Sequence, residues 1–102
     1  MDDSDKARIR ATSDIAFGQM YRLECMLAIA ANPTEQFSLS SLADELRLRP
    51  SQIQVAFKAL VDTGLLAPVP TSDHRRKGYR VNGESAALRW AEELEARSLA
   101  MK

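Results

Sequence analysis

A chain of 102 residues suits one domain with one core, and 45% hydrophobic with 27% charged residues excludes a disordered or collagen-like polymer. No apolar run approaches the ~18 residues a membrane helix needs, and the charged start MDDSDKARIR lacks the apolar stretch of a signal peptide, so a soluble, cytoplasmic protein is expected. Net charge is zero, yet residues 38–83 hold 7 basic and 4 acidic side chains between acidic flanks, which leaves room for local contact with phosphate.

Residues 1–12 contain one large aliphatic, Ile9, and read as an arm that either extends the first helix or frays. From Ser13, a candidate N-cap, the residues Ala16, Met20, Leu23, Leu27 and Ala30 recur at three- and four-residue steps. This predicts one helix over about 14–31, stopped before Pro33. Its single cysteine, Cys25, has no disulfide partner, and its apolar neighbours point to an inert core thiol rather than a redox sensor.

Phe37 to Leu39 alternates apolar and polar and is long enough only for a short strand. Ser40 or Ser41 then caps a short helix that buries Leu42, Ala43 and Leu46. RLRPS interrupts, and SQIQVAFKALVDTG forms a third helix with Ile53, Phe57 and Leu60 inward. Pro50 occupies the first turn of this helix, or else Ser51 caps it with Gln54 three residues on. Gly64 ends it where a left-handed residue is needed. LLAPVP reads as a strand whose Pro68 confines it to an edge or a non-bonded position. TSDHRRKGYRV turns the chain round, and Tyr79 and Val81 share one face of the returning strand. A last helix follows, with Leu88, Ala91, Leu94 and Ser98 in one row and Trp90 beside it.

The stretch SLADELRLRPSQIQVAFKALVDTGLL resembles the helix-turn-helix of winged-helix transcriptional regulators. Leu42 and Ala43 match the supporting helix, Leu46 and Leu48 the turn, and Ile53, Phe57 and Leu60 the recognition helix, while DTGLL resembles the junction into the wing. GQMYRLECMLAIA is similar to a helix of arsenic-repressor-type and multiple-antibiotic-resistance-type regulators. The resemblance implies a mainly α fold with a small β-hairpin wing, divided into the arm 1–12, a DNA-binding domain 13–83 and a C-terminal dimerisation helix 84–102. It departs from the pattern at Arg47, where many such turns carry glycine; a left-handed arginine there costs about 1 kcal/mol, or the turn differs.

With Ile53, Phe57 and Leu60 inward, Ser51, Gln52, Gln54, Val55 and Lys58 lie outward on the helix of about 51–63. In a major groove glutamine bonds adenine, valine meets a thymine methyl, and lysine reaches guanine or phosphate. Arg47 and Arg49 flank the turn as phosphate candidates; Arg75, Arg76 and Lys77, with Arg80, arm the wing 71–80 for minor groove or phosphate. Winged-helix regulators of this kind usually dimerise through terminal helices, which implicates Phe17, Met20, Leu88, Trp90, Ala91 and Leu94. The expected partners are double-stranded DNA and a second copy, with no membrane; the rival is a winged helix that binds another protein.

His74 has no second histidine or cysteine at ligand spacing, so no metal or other cofactor is expected. SDH places triad residue types side by side, where they cannot aim at one another, and Gly78 stands alone, so no enzyme is expected.

Overall fold

The computed structural model describes residues 2–70 and 78–100. Five helices and three strands follow in the order α1 (Asp3–Phe17), α2 (Arg22–Ala31), β1 (Gln36–Phe37), α3 (Leu39–Leu46), α4 (Pro50–Asp62), β2 (Leu66–Val69), β3 (Gly78–Val81) and α5 (Ala86–Ala100). This is a winged helix-turn-helix: mainly α, with α3 and α4 as the helix pair and β2 and β3 bracketing residues 71–77.

The single helix expected over 14–31 is two. Asp2 starts α1 two residues into the chain, its side chain accepting the Asp5 amide at 2.8 Å, so most of the supposed arm is helical. Gly18, at φ 69°, closes α1 and sends its amide to the Asp14 carbonyl. A glycine within an apolar helical pattern does not announce a break; here it supplies the left-handed residue that a helix end uses. Ser13 is consequently not a cap. It is buried inside α1, and its hydroxyl donates to the Gln19 carbonyl and accepts the Leu23 amide, fastening the α1–α2 corner.

The strand expected over 37–39 is Gln36–Phe37, because Ser38 begins the next helix. Ser38 and Ser41 exchange bonds, each hydroxyl taking the other's amide at 2.8–3.0 Å, so Ser38, rather than Ser40 or Ser41, is the cap. Pro50 holds the first turn of α4 and Arg49 the N-cap, which rules out Ser51 as cap.

The sheet runs β1-β3-β2, antiparallel throughout, and β2 is an edge strand, as Pro68 requires. Phe37, Tyr79 and Pro68 are cross-strand neighbours, and so are Gln36, Arg80 and Ala67 in the next rung. The Tyr79 ring meets Phe57 of α4 edge-on at 5.3 Å, locking the sheet to the helix.

One core joins these parts. Ile9, Leu23, Met26, Ile29, Leu42, Ile53, Leu60 and Leu66 are all buried, and each contributes about 1.5–3 kcal/mol by leaving water. Ala43 is fully buried on α3, which packs on α4, as expected for helices that approach closely. From α5, Leu88, Ala91 and Ser98 enter the core against α1 and α2, and Ser98 bonds the Thr12 hydroxyl.

Candidate nucleic-acid interface

Burial of Ile53, Ala56, Phe57 and Leu60 fixes which way α4 faces. Ser51, Gln54, Val55 and Lys58 therefore form one outward strip at helical spacing, all exposed, with Val55 at 65%. Neither Ser51 nor Gln54 makes a side-chain hydrogen bond among the described residues, so their polar groups are free for a partner. Lys58 is tied to Asp62 one turn on, at 2.7 Å; the hydrogen bond and the charge of that carboxylate raise its pKa, and the ammonium stays protonated.

Gln52 departs from the expected strip. It is half-buried; its carbonyl oxygen accepts the Arg49 amide at 2.9 Å and its amide donates to the Tyr21 hydroxyl at 3.3 Å. With both ends engaged it holds the start of α4 against α2 instead of presenting itself to a base. Tyr21 was not singled out from the sequence: the two residues lie 31 apart, and no periodicity links them. Arg10 stacks on the Tyr21 ring at 5.2 Å and pairs with buried Glu24 at 2.6 Å, so α1, α2 and the start of α4 are connected through side chains.

The α3–α4 turn is Arg47, Leu48, Arg49. Arg47 adopts φ 58° and ψ 40°, left-handed, so of the two expected alternatives the turn keeps its usual shape and the arginine bears the strain. Both arginines are exposed. Arg80 is exposed on β3. Arg75, Arg76 and Lys77, like His74, lie outside the described residues.

The residues expected to self-associate divide into two groups. Leu88 and Ala91 are 3% and 0% exposed within their own domain and have no surface to offer a second copy. A helical row reveals an apolar face but not what covers it, and here α1 and α2 do. Leu94 is half-buried, whereas Met20 and Trp90 are 47% and 44% exposed. Phe17 meets Trp90 edge-on at 5.1 Å beside a shallow cleft of about 170 Å³ lined also by Arg22, Met26 and Leu65. Cys25 is buried, and its thiol is pushed up to about 12, chiefly by burial and then by the Glu24 charge, so it remains an unreactive thiol at neutral pH. Among the described residues no three histidine, cysteine or acidic side chains gather as metal ligands, and no helix is long and apolar enough to cross a membrane.

No known protein family matches this sequence, and no curated protein does. The fold is similar to that in the crystal structure of RV1404 from Mycobacterium tuberculosis, with a TM-score of 0.57 and 20% identity over 92% of this chain. The chain spans 65% of the length of that protein. At this identity the likeness speaks for the fold alone.

Proposed function

We propose that the chain binds double-stranded DNA in a sequence-preferring way and acts as a homodimeric bacterial transcriptional regulator. The observation that carries the reading is the strip of α4: Ser51, Gln54 and Val55 stand clear of the fold on a helix whose opposite face is anchored in the core. In a major groove Gln54 pairs with adenine, Val55 contacts a thymine methyl, Ser51 bonds either base edge, and Lys58 exchanges Asp62 for guanine or phosphate. Arg80 and the residues between β2 and β3 meet the flanking backbone or the minor groove. Phe17, Met20, Trp90 and Leu94 supply the contact between copies, which links two half-sites and multiplies a weak single-domain affinity.

A second reading draws on Val55, a largely exposed aliphatic side chain at the centre of the strip, and on zero net charge: the same face docks on a protein. A mobility-shift titration with fragments of the neighbouring genes, at two salt concentrations and with light scattering, separates the two. Salt-dependent, sequence-preferring binding by a dimer is expected. Absence of any shift at low salt, with a protein captured through the α4 strip, would establish the rival.

A further inference from the structure

We propose that Arg47 and Arg49 form a two-guanidinium clamp for the phosphodiester backbone of duplex DNA, kept in the α3–α4 turn against the preference of the protein backbone. The inference deepens the DNA-binding reading and rests on it.

Three described residues take positive φ, and two are glycines: Gly18 at 69° ends α1 and Gly64 at 82° follows α4. The third is Arg47. Its amide bonds the Asp44 carbonyl, and the Leu48 amide reaches back to Ala43 at 2.9 Å. This is the two-bond helix ending in which the left-handed place belongs to glycine or asparagine. An arginine there is strained by its own Cβ.

Arg49 stands at a second position where the backbone calls for another residue type. Two other helices show the preferred arrangement: α1 starts on Asp2 and α3 on Ser38, and each side-chain oxygen caps an amide, whereas α2, like α4, starts without a side-chain cap. The side chain of Arg49 is a donor only and caps nothing at the start of α4. Half of a capping box is already made, since Gln52 holds the Arg49 amide; serine at position 49 would complete it.

Neither guanidinium is repaid inside the fold. Both arginines are exposed, and among the described residues neither makes an ion pair or a side-chain hydrogen bond, although Asp44 and Glu45 are exposed on the preceding helix. Leu48 between them packs on the core, which pins the turn. Two free cations on a pinned turn, next to the outward strip of α4, match the bidentate chemistry of arginine with phosphate oxygens.

The test compares the whole chain with Arg47→Gly, with Arg49→Ser, and with Arg97→Gln. Arg97 is bound to Glu93 on α5, so the last variant removes the same charge away from the turn. Each protein is melted and then titrated with a random-sequence duplex over a range of salt. The clamp predicts that both turn variants raise the Tm by about 2–6 °C. It also predicts that each loses about tenfold in affinity at low salt and lowers the slope of log affinity against log salt by about 0.9, while Arg97→Gln keeps the wild-type slope. Stabilised variants that keep the wild-type affinity and slope would overturn the clamp but not DNA binding. A fall in Tm would overturn it too, because the arginines would then serve the fold. A wild-type chain that holds no duplex at any salt would sink the DNA reading itself and the clamp with it.

Discussion

Among the described residues two tight helix–helix corners stand out, and they are built to opposite rules. At the α1–α2 corner the bend is held by residues that suit its backbone: glycine fills the left-handed position, buried Ser13 bonds both sides of the bend, and the Gln19 side chain accepts the Tyr21 amide. At the α3–α4 corner the left-handed residue is an exposed arginine, and a second arginine occupies a capping place it cannot fill. A corner that only redirects the chain converges on the residues its backbone prefers. One that keeps less suitable, solvent-facing cations is what the proposed clamp requires.

Breaking the first corner should cost most. In Arg10→Ala, Glu24 keeps its burial but loses the guanidinium 2.6 Å away, and Tyr21 loses the cation on its ring. Stranding a fully buried charge costs 3–5 kcal/mol; because Arg10 is itself 27% exposed, about 2 kcal/mol is expected in urea melts. A loss below about 0.5 kcal/mol would mean that water already screens the pair. Ser13→Ala comes next. It leaves the buried Leu23 amide and the part-buried Gln19 carbonyl without their partner, at about 1–2 kcal/mol. If the corner serves only the fold, duplex affinity of the folded protein stays at the wild-type value in both variants.

Gly18→Ala isolates the backbone effect. No atom lies within 4 Å of where its Cβ would stand, so the whole cost is conformational, about 1 kcal/mol at φ 69°. Set beside Arg47→Gly, it should move Tm by a similar amount in the opposite direction. If instead both substitutions destabilise, the two corners do not differ in the way their φ angles imply.

The contrast also explains what could be read without coordinates. The inward row Ile53, Phe57 and Leu60, the edge position of Pro68 and the end of α4 at Gly64 follow from periodicity and single-residue stereochemistry, so they were legible. The break at Gly18 was not, because the apolar pattern continues across it from Ala16 to Leu23. The capping role of Gln52 was hidden because a polar residue next to a helix start looks the same whether it faces solvent or a distant tyrosine. Leu88 and Ala91 read as a face for a second copy for the same reason, since their cover arrives from the other end of the chain.

The smallest expected effect is the one most sensitive to how α4 is used. Asp62 holds Lys58 across one exposed helical turn, an ion pair of the kind that contributes almost nothing to stability. Asp62→Asn should therefore leave Tm unchanged. Near a phosphate backbone it should act twice, removing a repelling carboxylate and releasing the ammonium, so affinity for duplex at low salt should rise about threefold. The gain should fade as salt increases, because it comes from charges lying in open solvent. An affinity that does not move would place Lys58 and the last turn of α4 away from the DNA, with reading confined to Ser51, Gln54 and Val55 beside the arginine-bearing turn.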